Sequence, residues 1–489
     1  MKDFFGTDGI RGTVGIYPLL PDFVLKLGQA SGFVLRNSVE NRTQNRTEHL
    51  SIVIGRDTRV SGNMLQQALT AGLLASGFDV IDAGVIPTPG IAWITRLLEA
   101  NAGAVISASH NPVEQNGIKF FGQNGKKLSE EMENQIEQLL NSPETIPLNP
   151  RLGRLLDGQY THELYIQSLI NEHSKTSLKD LKIVIDCANG AASYIAPETF
   201  GRMGARVIAL HASPTGWNIN VNAGSEHVRR WVEEMGMLIQ HYQADFGLAF
   251  DGDADRVVLV DNEGNLIDGD YVLGMLARYL SDRQQLLAQS VVTTTMRNTG
   301  LKTYLGNLGV SLYETPVGDK YVVEKLYEIQ KTDTRQGVIG LGGEQSGHII
   351  LVDKDHATGD GIRSALYVIR AFLESKEKTM AAFAATIGKT PQIIASAYVG
   401  HNDRLDKNAL NMLKIETQKQ YPSLIEISLR YSGTEPLFRV MLESDNGIDE
   451  NGLAAIAAKI CQRIQSVAGC VGAEIDILNC TRGGILTVE

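Results

Sequence analysis

The chain has no run of 18 apolar residues, so nothing in it reads as a membrane-spanning helix. Its opening, Met1-Lys2-Asp3-Phe4-Phe5-Gly6-Thr7, lacks the apolar core of a secretion signal, and the expected compartment is the cytoplasm. Cysteine is scarce. Cys187, Cys461, Cys470 and Cys480 are the only four in 489 residues, and none forms a CxxC pair, which excludes a disulfide framework and argues against zinc. Positive charge is in deficit: 45 Lys and Arg face 56 Asp and Glu, a net charge of −11. That balance argues against a nucleic-acid partner. It leaves anionic small substrates open, because a local cluster of cations overrides the net sign.

What the chain has is ordinary in bulk. Hydrophobic residues make up 43% and charged residues 21%, as in a soluble globular protein. The length implies three or four domains. Glycine stands out: 49 of 489 residues exceeds the ~7% that is typical. Either these glycines are diffuse loop material or they gather where backbone must approach a ligand.

Strand, glycine turn and helix alternate along the chain. Ser51–Gly55, Phe78–Asp82 and Ala104–Ser107 read as buried strands, with helices over Gly62–Gly77 and Glu130–Leu140. The order restarts at the strand Lys182–Asp186 and again at Val291–Thr295. The last hundred residues differ: helices at Leu405–Tyr421 and Leu453–Val467 accompany alternating strands at Ile425–Leu429 and Phe438–Leu442. The fold class is therefore α/β, three related α/β domains followed by a C-terminal α+β domain. The expected boundaries are 1–153, 154–256, 257–375 and 376–489. Asn37–His49 and Ser142–Gly153 read as surface loops. Asn-Arg-Thr at Asn41 and Asn45 fits a glycosylation acceptor, but without a secretion signal it reads as solvated loop.

Five segments carry chemistry. In Ala249–Arg256, a strand delivers Asp251, Asp253 and Asp255 at alternate positions. Three anions this close repel one another unless a cation lies among them, and oxygen-only ligands select Mg²⁺ or Ca²⁺. An EF-hand is excluded, since Asn262 holds its glutamate position and the entry is a strand. In Ile106-Ser107-Ala108-Ser109-His110-Asn111-Pro112, a strand ends in hydroxyls and a histidine, with Lys119 following. A serine there is a nucleophile or phosphate carrier. A turn capped by Ser and Asn side chains is the alternative. In Gly340–His348, glycines bracket Glu344, Gln345, Ser346 and His348, side chains suited to a polyhydroxylated ligand, or to a simple βα turn. In Arg430–Arg439, two arginines flank Ser432-Gly433-Thr434, which reads as a phosphate cradle or as a hairpin with surface arginines. The glycine-dense Phe5–Gly12 implies backbone folded close to another part of the protein.

These segments, FGTDGIRG, ISASHNP with NGIKFF, FDGDADRVVLVD, GGEQSGH and SGTEPLFRVM, resemble in kind and order the α-D-phosphohexomutase superfamily, over nearly the whole chain. Within it they are most similar to the phosphoglucosamine mutase group, where relatives acting on mannose or glucose phosphates more often carry methionine at the position of Gln345. The resemblance implies four domains around a central cleft, the last like a TATA-binding protein in shape. It implies a phosphoserine at Ser109, with Ser107 the neighbouring alternative, and one Mg²⁺ held by Ser109, Asp251, Asp253 and Asp255. Lys119 would assist proton transfer, with His110, Arg11 and Arg256 lining the pocket. Glu344, Ser346 and His348 would bind sugar hydroxyls. Arg430, Ser432, Gly433, Thr434 and Arg439 would hold the phosphate that is not reacting.

The implied reaction interconverts glucosamine 6-phosphate and glucosamine 1-phosphate through glucosamine 1,6-bisphosphate, with mannose or glucose phosphates the alternative substrates. The implied partner is a small sugar phosphate, with no nucleic acid and no membrane, for a monomer or homodimer. Tyr431 departs from the lysine, alanine or proline usual in relatives. The segment Gly469–Glu489 continues past the family's usual end.

Overall fold

The computed structural model describes residues 4–6, 8–43, 50–147, 149–400, 404–432 and 436–488. Among these, 19 strands form four sheets. The first contains β1 (Ile10–Thr13), β2 (Ser51–Arg56), β3 (Asp79–Val85), β4 (Ala102–Ile106), β5 (Gln115–Gly122) and β6 (Leu155–Asp157), in the order β1-β5-β4-β2-β3-β6. The second contains β7 (Lys182–Asp186), β8 (Arg206–Leu210), β9 (Phe246–Phe250), β10 (Val257–Val260) and β11 (Leu266–Ile267), in the order β11-β10-β9-β7-β8. The third contains β12 (Leu286–Thr294), β13 (Ser311–Thr315), β14 (Ile339–Gly343) and β15 (Ile349–Val352), in the order β13-β12-β14-β15.

These three sheets share one plan. Each has a parallel core joined by helices, and its last parallel strand turns back into an antiparallel partner: β4 into β5, β9 into β10, β14 into β15. Parallel strands need crossover helices, and sheets covered on both faces read as unbroken apolar runs. Alternate residues of a strand therefore serve different cores. Ile52 and Ile54 pack in one apolar cluster and Val53 in another, the latter continuous through all three sheets with Ile185, Phe250, Val291 and Leu341.

The fourth sheet is wholly antiparallel: β16 (Gln392–Tyr398), β17 (Leu424–Tyr431), β18 (Leu437–Ser444) and β19 (Ile475–Asn479), in the order β17-β18-β16-β19. Helices Lys407–Gln420 and Glu450–Val467 share its core. This is the α+β unit that the alternating strands imply.

Two expectations are corrected, and one segment gains a structural account. Val257–Val260 and Leu266–Ile267 belong to the second sheet, not the third unit, because the acidic segment is a hairpin turn and both of its strands pair together. Residues 37–43 continue the helix Pro21–Thr43 and are not loop, while the second Asn-Arg-Thr lies outside the described residues. The segment after Gly469 supplies β19 and then folds back on the second unit, where the Gly484 N–H donates to Arg229 O at 2.9 Å.

Candidate active site

The three antiparallel turns carry the three chemical motifs of the first three units, and all three turns touch. Ser109 follows β4 with a left-handed φ of +52°, and its Oγ donates to Asp251 Oδ2 at 2.5 Å. Ser107 is fully engaged: its Oγ donates to Asp57 Oδ2 at 2.6 Å and accepts the Ser109 N–H at 2.9 Å. Of the two serines, Ser109 is thus the one whose hydroxyl faces the carboxylates. The capped-turn reading also holds, since capping is how Ser107 fixes its neighbour.

Buried Arg59 organises this loop. Its Nε pairs with Asp57, and its guanidinium donates to Ser109 O at 2.9 Å, Asn111 O at 2.8 Å and Gln115 O at 3.0 Å, and also to Pro112 O. Asn220, from the second unit, donates to Ser109 O at 2.8 Å. Sequence motifs missed Asp57, Arg59 and Asn220. The available signal was the polar run Arg56–Arg59 directly after a buried parallel strand, where such folds place ligand loops.

Asp251, Asp253 and Asp255 each offer an oxygen, all within 4.8 Å of one another, and all three are buried. Burial, then repulsion by Asp255 and Asp253, raises Asp251 well above the usual carboxylate range. Burial and Asp253 raise Asp255 as well. Asp253 goes the other way. Burial opposes its charge, but Lys119 and the Thr88 hydroxyl hold it near 2. Asp253 Oδ1 and Asp255 Oδ1 have no hydrogen-bond partner. Buried, unpartnered carboxylate oxygens on one small volume fit a hard divalent cation.

Gly252 allows the approach, since a Cβ there would lie 2.5 Å from Ser109 O. Gly347 does the same for the third turn: its φ is +92°, and a Cβ would meet Val257 O at 2.4 Å. These glycines bring loop against loop, a different use from the ligand approach that their clustering implied. Gly9 fulfils the expectation for its segment, its Cα face lying against Ile118 O of β5.

Charged groups line the junction. Lys119 Nζ is 2.8 Å from Asp8 Oδ2 and 3.4 Å from Asp253 Oδ2; against the pull of burial, Asp8 and Asp253 push it up to about 12. Arg11 pairs with Asp8, and its Nε is unpartnered. The Arg256 N–H donates to Asp251 Oδ1 at 3.1 Å, and its Nη1 lies 3.3 Å from Glu226. Burial and Arg256 push His110 down to about 3, so its ring is neutral beside Ser109 Oγ, 3.4 Å away. His348 Nδ1 lies 3.7 Å from Asp255 Oδ1.

In the third turn, Glu344 accepts from the Gly318 N–H at 3.0 Å, and Ser346 is half-buried. Gln345 points away from the turn's open side. Its Nε2 donates to Asp270 at 2.9 Å and to Gln392 of β16 at 2.6 Å, tying the third unit to the fourth. The turn joins antiparallel strands, so the βα reading of it is corrected. Arg430 and Arg439 are cross-strand partners on β17 and β18, and burial and Arg439 lower the pKa of Arg430. The Ser432 N–H closes the hairpin on Leu437 O at 2.8 Å. Gly433 and Thr434 lie outside the described residues. The departure at Tyr431 has a structural use: its hydroxyl accepts the Leu405 N–H at 2.9 Å and its ring packs on Phe438. No described helix is long and apolar enough to cross a membrane.

Comparison with known proteins follows the same division. The description "Phosphoglucomutase/phosphomannomutase, alpha/beta/alpha domain I" matches residues 2–146, domain II matches 163–264 and domain III matches 268–389. The phosphoglucosamine mutase of Pseudomonas entomophila is 41% identical over 469 residues, covering 94% of this chain and 99% of that one. The phosphoglucosamine mutase of Geobacillus thermodenitrificans is 41% identical over 451 residues, covering 91% and 95%. Among solved structures, a phosphoglucomutase/phosphomannomutase family protein from Burkholderia thailandensis superposes with a TM-score of 0.73 at 21% identity, covering 97% and 99%. An Aspergillus fumigatus N-acetylphosphoglucosamine mutase, in complex with GlcNAc-6P and magnesium, gives 0.63 at 16%, covering 96% of each chain.

Proposed function

The chain belongs to the α-D-phosphohexomutase superfamily, in company with the phosphoglucosamine mutases, and from that premise we propose that it interconverts glucosamine 6-phosphate and glucosamine 1-phosphate through a phosphoserine at Ser109. The observation that carries the reading is Ser109 Oγ at 2.5 Å from Asp251, at the edge of a buried carboxylate trio with unpartnered oxygens.

Asp251, Asp253 and Asp255, with the phosphate on Ser109, would hold one Mg²⁺. Its chemistry there is to neutralise phosphoryl oxygens and ease the build-up of charge during transfer. The chain's own groups do the rest. Lys119 and Arg11 face the reacting oxygens from the first unit, and Arg256 from the second. Neutral His110 offers a hydrogen bond beside Ser109. Glu344, Ser346 and His348 bind sugar hydroxyls. Arg430, Ser432, Gly433, Thr434 and Arg439 hold the phosphate that is not reacting.

In the cycle, the P–Oγ bond of phospho-Ser109 breaks as O1 of glucosamine 6-phosphate bonds to phosphorus, and the O1 proton passes, with Lys119 assisting, to the freed Ser109 Oγ. Glucosamine 1,6-bisphosphate forms and turns over in the cleft. Its 6-phosphoryl group then passes to Ser109 Oγ: P–O6 breaks as P–Oγ forms, and the Ser109 proton passes to O6, leaving a 6-hydroxyl. One cradle thus serves either phosphate. The partner is a small sugar phosphate, and we assign the protein to the cytoplasm, as a monomer or homodimer that binds no nucleic acid.

A coupled assay on glucosamine 6-phosphate, with intact-mass measurement of the same sample, tests this. We expect turnover with Mg²⁺ and a bisphosphate primer, an added phosphate mass on the wild type, and neither in Ser109→Ala. Normal turnover by Ser109→Ala would remove the phosphoserine role. A higher kcat/KM for glucose or mannose 6-phosphate would move the substrate to the alternative sugar. Tight binding without turnover would leave a sugar-phosphate-binding protein.

A further inference from the structure

Six ionisable side chains close a ring that includes Asp255 of the carboxylate trio. Lys119 Nζ is 2.8 Å from Asp8 Oδ2, and the other Asp8 oxygen is 2.7 Å from Lys127 Nζ. Lys127 Nζ is 2.8 Å from Asp319 Oδ2, which is 3.9 Å from His348 Nε2. His348 Nδ1 is 3.7 Å from Asp255 Oδ1, and Asp255 Oδ2 returns to Lys119 at 3.9 Å. Acid alternates with base or imidazole all the way round. The first unit gives Asp8, Lys119 and Lys127, the second gives Asp255, and the third gives Asp319 and His348. The ring walls a cavity of about 440 Å³ between the first and third units. Lys119, Asp255 and His348 belong to the machinery above. Asp8, Lys127 and Asp319 have no role in it.

Other ion pairs cross the same seam, and they differ. Arg96 with Asp355, and Lys320 with Glu130, each involve a carboxylate at least half exposed. Such pairs contribute little. Lys127 instead binds two carboxylates at once, each of which also contacts a group of the proposed machinery. Removing its charge leaves Asp8 and Asp319 facing one another, with like charges repelling. Asp319 also opens the helix Asp319–Gln330, directly after Gly318, whose N–H holds Glu344. A shift of Asp319 therefore moves the hydroxyl-reading turn as well as His348.

We propose that Lys127 and Asp319 are positioning residues that clamp the first unit to the third, fixing Lys119 and His348 at their spacing across the reacting sugar. The proposal rests on the mutase reading. Lys127 and Asp319 contact Asp8, one another and His348, so the clamp's signature is misplacement of intact groups. A misplacement of about 1 Å costs about 10²-fold in rate.

The test uses the full-length protein with Mg²⁺ and bisphosphate primer. We expect Lys127→Met to lower kcat about 10²-fold with KM changed less than about threefold, and Lys127→Arg to recover most of the rate. Asp319→Asn should fall similarly, and the double variant should fall no further than the worse single variant, because the pair acts as a unit. Amide exchange in the Glu344–His348 turn should rise about tenfold in Lys127→Met and stay near wild type in Lys127→Arg. An unchanged kcat and unchanged exchange in Lys127→Met, in an active wild type, would overturn the clamp. So would losses that multiply in the double variant. An inactive wild type whose turn still loosens in Lys127→Met would overturn the mutase reading and leave the clamp standing.

Discussion

Among the described residues, two places bring three metal-ligand side chains within 4.8 Å: Asp251, Asp253 and Asp255 in one, and Glu172, Asp353 and His356 in the other. The second is already filled by a cation. Buried Arg363 donates from Nε and Nη2 to the two oxygens of Glu172, at 2.8 and 2.6 Å, and also to Asp353. Tyr367 adds a bond to Glu172, and His356 adds one to Asp353. Burial works against these carboxylates, yet Arg363 holds Glu172 near 2, and the hydrogen bond from His356 to Asp353, together with the charge of Arg363, keeps Asp353 low. In the first cluster the protein's cations sit at the edge: Lys119 faces Asp253 Oδ2 at 3.4 Å and Asp255 Oδ2 at 3.9 Å, and Arg256 Nε lies 3.9 Å from Asp255 Oδ1. Asp251 and Asp255 are pushed up, and two oxygens have no partner. Residue type and proximity are alike in the two places. What separates a cation-binding site from a structural ion cluster is whether the protein's own groups leave carboxylate oxygens without a partner.

The largest break in this comparison is at Asp253. Asp253→Asn should lower kcat at least about 10³-fold, through lost metal affinity and the lost partner of Lys119. EDTA should abolish wild-type turnover, and added Mg²⁺ should restore it. Glu172→Gln should leave the Mg²⁺ dependence of kcat unchanged. A variant Asp253→Asn that keeps its rate and its metal response would erase the distinction. Next in size is Arg363→Met. It strands Glu172 and Asp353 in a buried setting, and denaturant unfolding should show a loss of about 3–5 kcal/mol. The variant that remains folded should turn over near the wild-type rate per molecule, because Arg363 lies outside the cleft.

The first cluster was legible in the sequence and the second was not, for a physical reason. Asp251, Asp253 and Asp255 sit in one hairpin turn, so their spacing is local and alternation along the chain places them together. Glu172 lies in the helix Tyr160–Glu172, while Asp353 and His356 follow β15, so only the packing of one unit on another joins them. The same divide runs through the whole site. Ser109, Glu344, Ser346, His348 and the arginines of β17 and β18 stood out as candidates because each motif is a single turn. Asp57, Arg59, Asn220 and the Asp8–Lys127–Asp319 chain were not, since each acts across units. In the fold, buried strands such as β2 and β9 announced themselves as apolar runs. The helix Pro21–Thr43 did not reveal its end, because the polar stretch from Asn37 has the composition of a loop. The boundary at 256/257 cut through the β9–β10 hairpin, and the βα alternative for Gly340–His348 missed the return of β15, because an apolar strand after a turn has no local mark of its direction.

The smallest expected effect lies in acid. Arg363 lowers Glu172 from an ordinary value of 4.5 to about 2 in the folded protein. A carboxylate with a depressed folded pKa binds fewer protons folded than unfolded, so its contribution is complete above pH 4.5 and declines as the pH falls toward 2. Glu172→Gln removes that contribution and its titration together. Denaturant midpoints of wild type and Glu172→Gln should therefore differ at pH 5 and converge as the pH approaches 2. Asp353 titrates in the same direction, so the wild-type acid limb should be softened by this substitution but not lost. A constant difference across that range would mean that Arg363 holds Glu172 by shape and not by charge, and the filled cluster would then differ from the open one in packing alone.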